Sequence, residues 1–256
     1  MGSYVEIRGL SHRFGGLQAL SDLNMTLEQG EVAGLIGPNG AGKTTVFNLV
    51  SGFYIPTEGD ILVGGVRLNN RKPHEIAALK IGRTFQNIRL WPEMTVLDNI
   101  RIAQHYHLGY NAADAFLGTR RYREREREIR ENAEELLEHF HLSDLAGEYP
   151  KNLPYGIQRR VEIVRALSLK PQLLMLDEPA AGLSTADIVR LIDYINWIHE
   201  EFGLTIWMIE HQMEVIMKLC RTISVIDFGR EIARGSPEEI QSDPEVIKAY
   251  LGDGSL

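Results

Sequence analysis

The sequence predicts an α/β fold built on a largely parallel sheet. Apolar runs of strand length alternate with stretches of helical periodicity along most of the chain. One such run, Val32-Ala33-Gly34-Leu35-Ile36, leads into a glycine loop, Gly37-Pro38-Asn39-Gly40-Ala41-Gly42-Lys43-Thr44-Thr45, and then into a helix-like segment. Asp177-Glu178 and His211 likewise stand just after apolar strands. In parallel sheets ligands collect outside the carboxyl ends of the strands, so one crevice is expected to hold all three groups.

Taken in order, Tyr4-Val5-Glu6-Ile7 alternates and reads as a strand, with a turn expected over residues 12–16. Residues 19–27 form a second strand region, closed by the turn signal Gln29-Gly30. The buried strand 32–36 precedes the glycine loop, and Thr45-Val46-Phe47-Asn48-Leu49-Val50 opens the helix after it. Pro56-Thr57-Glu58-Gly59 turns the chain into the strand Asp60-Ile61-Leu62-Val63. A short helix is expected at 74–80, and residues 82–86 read as a strand running out into polar loop residues.

From Trp91 the character changes. Residues 95–106 look helical, and 111–118 carry no clear signal. Residues 119–141 form a long helix with Ile129, Ala133, Leu136, Leu137 and Phe140 at helical spacing. Its first half, 120–130, is dense in Arg and Glu. It reads as a solvated face laced with i,i+4 pairs in preference to a partner-facing or headgroup-binding one. Helices follow at 158–169, 185–202 and 212–219, with strands at 173–176 and 205–209. Residues 223–226 and 231–233 flank Phe228-Gly229-Arg230 as a hairpin, and two short helices close the chain.

Composition narrows the function classes. The 256 residues suffice for one large α/β domain with a sizeable subdomain, and a 44% apolar, 24% charged make-up is that of a soluble globular protein. The net charge of −8 disfavours a general nucleic-acid surface. Cys220 is the sole cysteine, so an intramolecular disulfide and a Cys-rich zinc site are excluded; it reads as a small buried hydrophobe on a helix. No run approaches the ~18–20 apolar residues of a membrane span. No secretory signal is read at the N-terminus, and Gly2 does not make a myristoylation signal, because the motif wants Ser or Thr where Glu6 stands. A cytosolic chain, or one held at a membrane by a partner, is expected.

The glycine loop matches G-x-x-x-x-G-K-[ST] in its required strand–loop–helix context. Glycines let backbone N–H groups turn inward around phosphate oxygens, and the helix N-terminus adds partial positive charge. Lys43 can reach the β- and γ-phosphates, and the Thr44 hydroxyl can ligate Mg²⁺. Asp177 suits Mg²⁺ bound directly or through water, and Glu178 suits a general base on the attacking water. His211 can hold the γ-phosphate or orient that water. Gln86 can ligate Mg²⁺ through its amide oxygen or bind the water, although alone it reads as an ordinary surface residue.

These pieces resemble the nucleotide-binding subunit of ABC transporters over nearly the whole chain. Residues 37–45 look like Walker A, and 173–178 look like Walker B with its catalytic glutamate. Gln86 is similar to the Q-loop glutamine, His211 to the switch histidine, and Phe14 to the aromatic that stacks on adenine. Leu153-Pro154-Tyr155-Gly156-Ile157 takes the signature position that reaches ATP on the opposite protomer. The resemblance implies a P-loop fold of ABC type, with an N-terminal antiparallel β subdomain. It also implies an ATP-binding core over 1–89 and 166–256 and an α-helical subdomain over 90–165.

The signature departs from L-S-G-G-Q. Leu153 and Gly156 are kept, while Pro154, Tyr155 and Ile157 replace the serine, first glycine and glutamine. Pro154 offers neither a hydroxyl nor an N–H donor, so the composite site this signature completes is expected to be weakened. Ser184 stands where the D-loop commonly has Asp. Arg83-Thr84-Phe85-Gln86-Asn87, Leu90-Trp91-Pro92-Glu93-Met94-Thr95-Val96, Asp177-Glu178-Pro179-Ala180-Ala181-Gly182-Leu183 and the tail from Asp243 to Gly252 resemble ATPases of branched-chain amino acid uptake systems. Urea importers and the lipopolysaccharide-export ATPase look similar in parts of this tail. The resemblance implies ATP and Mg²⁺, a second ATPase, two permeases and a periplasmic binding protein, with the chain peripheral on the cytoplasmic face of the membrane. A soluble ABC regulator or repair clamp would usually need a second cassette, a long coiled coil, zinc cysteines or a basic face, and none is visible.

Overall fold

Strand β1, Val5–Phe14, runs antiparallel to β2, Leu17–Leu27. The sequence places a turn over 12–16, but His12↔Leu20, Arg13↔Gln18 and Phe14↔Leu17 pairings keep the first three residues in β1, and only Gly15-Gly16 turn. The reason is a series of register irregularities between Ile7 and Arg13, which break the period-2 pattern that would have revealed the longer strand. The structure is a computed structural model, and it describes residues 3–107 and 109–251. Gly2 and Gly252 lie outside the described residues.

The chain continues through β3 (Val32–Ile36), α1 (Lys43–Val50), β4 (Glu58–Val63), β5 (Val66–Arg67), α2 (Pro73–Ala78) and β6 (Ile81–Arg83). After the helices α3 (Val96–Ala103), α4 (Ala112–Leu117), α5 (Arg120–His139) and α6 (Tyr155–Leu167) come β7 (Leu173–Asp177), α7 (Thr185–Phe202), β8 (Thr205–Ile209) and α8 (Met213–Leu219). The hairpin β9 (Thr222–Asp227) and β10 (Arg230–Gly235) precedes α9 (Pro237–Ser242) and α10 (Pro244–Leu251). The chain divides into two compact units, Met1–Gln86 with Gln172–Leu256, and Asn87–Pro171. Among the described residues no helix is long and apolar enough to cross a membrane.

The first unit holds two sheets. One is antiparallel, in the order β2-β1-β4-β5. The other runs β10-β9-β3-β8-β7-β6, parallel throughout except for the β9–β10 hairpin. Strands β3, β7 and β8 are buried at every position, which is why they read as unbroken apolar runs. Their register matters for function: Leu35 and Asp177 both pair with Ile209, so β3, β8 and β7 end level with one another. Gly37, His211 and Glu178 therefore leave the sheet along one edge. Under that edge Phe47 of α1 packs on Trp207 of β8, ring centroids 5.0 Å apart. Residues 84–86, expected to continue a strand, lie beyond β6. Cys220 is buried one residue past the end of α8.

The second unit is helical. Thr95 caps α3 by accepting from the Asp98 N–H, and Thr119 caps α5 by accepting from that of Tyr122. Residues 111–118, unassigned from sequence, form α4 behind a capping box of Asn111 and Asp114. Helix α5 buries Ile129, Ala133 and Leu137. Its charged half carries the expected i,i+4 pairs, Arg120–Glu124 at 2.7 Å and Arg130–Glu134 at 2.8 Å. Glu126 breaks the pattern: it pairs with Arg101 and accepts from the Tyr110 hydroxyl at 2.6 Å, and with burial this pushes the Tyr110 pKa up to about 12. Helix α6 starts at Tyr155, three residues before the sequence suggests. Pro154 occupies its N-cap with φ −53°, and tertiary packing overrides the weak helix propensity of Gly156.

Candidate active site

The loop between β3 and α1 is shaped by glycines that no other residue could replace. Gly37 has φ +149° and a Cβ there would stand 2.0 Å from the Ile226 carbonyl oxygen. Gly42, the N-cap of α1, has φ +107°, and its Cβ would meet Leu20 Cδ2 at 2.7 Å. Helix α1 begins at Lys43, so the N–H groups of its first turn have no intrahelical acceptor and face the loop's interior. Lys43 is buried, and its ammonium donates to the carbonyls of Gly37 at 2.7 Å and Pro38 at 2.8 Å. Burial lowers its pKa, opposed by the carboxylates of Glu178 and Asp177.

Glu178 leaves β7 with φ +48°, a left-handed conformation that costs roughly 1–3 kcal/mol for a residue with a Cβ. Two contacts hold it there: its N–H donates to the Ile209 carbonyl at 2.8 Å, and Ala181 donates back to the Glu178 carbonyl. Both carboxylate oxygens are engaged. His211 Nε2 lies 3.0 Å from Oε1, and Gln86 Nε2 donates to Oε2 at 2.7 Å. Glu210, buried behind them, accepts from Ala180 N through one oxygen and from His211 N and Gln212 N through the other. One buried carboxylate thus ties the loop carrying Glu178 to the loop carrying His211. Its only sequence signal is its place beside His211 at a strand end.

Asp177 is held differently. Its Oδ2 accepts from Arg83 Nη2 at 2.8 Å, with both side chains buried. The same guanidinium donates to Asn48 Oδ1 of α1 at 2.9 Å and to Oγ of Ser51, its C-cap, at 3.1 Å, and lies over the rings of Phe47, Phe53 and Phe85. No local pattern marks Arg83, because its partners come from distant parts of the chain.

These groups line a cavity of about 1180 Å³ whose walls all belong to the first unit. It contains Phe14, the loop residues Pro38 to Thr45, Gln86, Glu178 and His211. Phe14, partly exposed, meets His12 and Tyr54 edge-on at 4.6 and 5.1 Å. Asp227, Phe228 and Ile232 of the C-terminal hairpin and Glu245, Lys248 and Ala249 of α10 form a wall that sequence reasoning did not anticipate. Gly37 and Asp177 stand behind the lining. Leu153 to Ile157 belong to the second unit, where Tyr155 receives a bond from buried Arg159 at 3.1 Å.

A nucleoside triphosphate fits this donor set: a glycine-lined loop, free helix N–H groups and a buried lysine suit a polyphosphate. Among the described residues no cluster of three His, Cys, Asp or Glu could hold a metal by itself. Thr44 is exposed at the cavity with its hydroxyl, a single oxygen of the kind that Mg²⁺ takes from a protein beside phosphates and water.

Comparison with known proteins follows the same line. Residues 20–181 match the family described as ABC transporter, and residues 230–255 match the one described as branched-chain amino acid ATP-binding cassette transporter. The chain is 44% identical over 249 residues to the high-affinity branched-chain amino acid transport ATP-binding protein BraF of Pseudomonas aeruginosa, covering 97% of this chain and 98% of that protein. It is 42% identical to the corresponding protein LivG of Escherichia coli, with the same coverage. A solved structure of the ADP conformation of an ATP-binding cassette of an ABC transporter superposes with a TM-score of 0.85 at 28% identity, covering 99% of this chain and all of that one.

Proposed function

The chain belongs to the ABC transporter family as an ATP-hydrolysing, ATP-binding subunit, and from that premise we propose that it energises uptake of branched-chain and other hydrophobic amino acids through partner permeases. The observation that carries the substrate class is the tail, residues 230–255, which matches the branched-chain amino acid cassette family separately from the ATPase core. In this reading the glycine loop, with Lys43 and the first turn of α1, holds the triphosphate, and Phe14 stacks on the base. Thr44 and Asp177, with Gln86, are the protein groups on the Mg²⁺ side. When bound, that ion neutralises charge between the β- and γ-phosphates.

Glu178 is the general base for the attacking water. Its Oε1 lies 3.0 Å from His211 Nε2 and its Oε2 accepts from Gln86 Nε2 at 2.7 Å; each oxygen keeps a second lone pair for the water, so these two neighbours orient the base. Proton transfer to Glu178 is thereby linked to the position of the Gln86 loop. With a second, paralogous ATPase, Leu153, Pro154, Tyr155, Gly156 and Ile157 of this chain complete the partner's site, and the partner's signature completes this one. Two permeases and a periplasmic binding protein complete the importer, with this chain on the cytoplasmic face of the membrane.

The test is uptake of labelled leucine by cells lacking this chain. Loss of uptake, restored by the wild type and not by Lys43→Ala, is expected. Leucine uptake that persists unchanged in the deleted cells would overturn the substrate class.

A further inference from the structure

The hairpin joining β9 to β10 turns in two residues, Phe228 and Gly229, both with positive φ, +42° and +77°. That is the pattern of a type I′ turn, which strongly prefers Asn-Gly or Asp-Gly. A phenylalanine in the left-handed region is strained; its N–H donates to Asp227 Oδ1 at 3.0 Å, but the residue buries little, being 88% exposed. Gly229 explains why the turn sits where it does. Its N–H donates to the Ala41 carbonyl of the phosphate loop at 2.9 Å, and its own carbonyl accepts from Ser21 N at 3.0 Å. A Cβ on it would stand 2.4 Å from the Ala19 carbonyl oxygen. The turn is therefore clamped between β2 and the phosphate loop, and it carries an exposed aromatic ring to the wall of the cavity that Phe14 also lines.

We propose that Phe228 is a second aromatic contact for the base of the bound nucleotide, an affinity-setting residue that the strained turn keeps at the cavity wall. Strain retained at a ligand cavity points to function, because the unstrained choice for the turn was available. A ring stacks on any base through its π-face, and removing such a contact typically costs about tenfold or more in affinity. The inference rests on the ATP-binding reading above.

The variant Phe228→Asn separates turn from ligand. Asn suits the turn better, so the protein is expected to melt at a higher temperature. Its affinity for Mg-ATP, measured by equilibrium dialysis, is expected to fall about tenfold. Affinity for inorganic tripolyphosphate, which has no base, should stay at the wild-type value, and Phe228→Trp should restore ATP binding. Wild-type ATP affinity in Phe228→Asn would overturn the proposal while leaving the ATPase reading intact. An equal loss for ATP and tripolyphosphate would also overturn it, since that marks a displaced phosphate loop. A wild-type chain that binds no ATP would instead sink the ATPase reading, and this inference with it.

Discussion

Arg83 and Asp177 meet in the first unit at 2.8 Å, and Arg159 and Glu162 meet in the second at 2.8 Å, each pair with side chains less than a tenth exposed. The two are built differently. Arg159 and Glu162 stand three residues apart on one helix, and Glu162 is completed by the Arg89 N–H at 3.1 Å, all within the helical unit. Arg83 and Asp177 are 94 positions apart, and the guanidinium also donates to Asn48 on the helix after the phosphate loop and to Ser51, that helix's C-cap. The Arg159–Glu162 pair joins two positions of one helix, whereas the Arg83–Asp177 pair fixes a carboxylate just behind the lining of the cavity.

That contrast can be broken at several strengths. The largest effect is expected from removing one arginine and leaving its carboxylate buried: Arg83→Met and Arg159→Met should each cost about 3–5 kcal/mol in urea unfolding. Replacing both partners separates the roles. Arg159→Met with Glu162→Leu should recover most of that loss, because a buried pair exchanged for well-packed apolar residues is often neutral or stabilising. Arg83→Met with Asp177→Leu should recover stability and still lack ATPase activity. If that double variant hydrolyses ATP normally, Asp177 is structural and the contrast fails.

Titration offers a further test. Burial raises the Glu162 pKa, opposed by Arg159, the Arg89 N–H and Arg165. A raised carboxylate pKa contributes stability that is present below the ordinary carboxylate range and is lost as pH climbs through the raised value. Unfolding midpoints should therefore fall more steeply with rising pH above ~4.3 in the wild type than in Glu162→Gln. A smaller effect is expected from Tyr155→Phe, which removes the hydroxyl that Arg159 reaches and should cost about 1 kcal/mol by calorimetry. The smallest is Glu124→Ala on the solvated face of α5, within ~0.5 kcal/mol, since exposed ion pairs contribute little.

How much of this was legible depends on how far apart the interacting residues lie. Helix 185–202 and strand 205–209 match their sequence-read boundaries because the end signals are local: Ser184 caps the helix and Gly203 ends it at φ +59°. The glycine loop was readable for the same reason, being nine consecutive residues. Arg83 was not, since its partners sit on α1 and β7. Nor was the length of β1, whose irregular pairing hides its periodicity, or the early start of α6. Phe228 was seen only as part of a hairpin signal; its place at the cavity depends on a hydrogen bond from Gly229 to Ala41, 188 positions away.

Glu178, held between His211 and Gln86, is proposed as the base of the ATP hydrolase. Single-turnover hydrolysis by Glu178→Gln, with ATP binding measured on the same sample, tests it most directly. ATP is expected to bind with wild-type affinity and to be hydrolysed more slowly by about 10²–10⁴. Hydrolysis by Glu178→Gln at the wild-type rate would contradict that role.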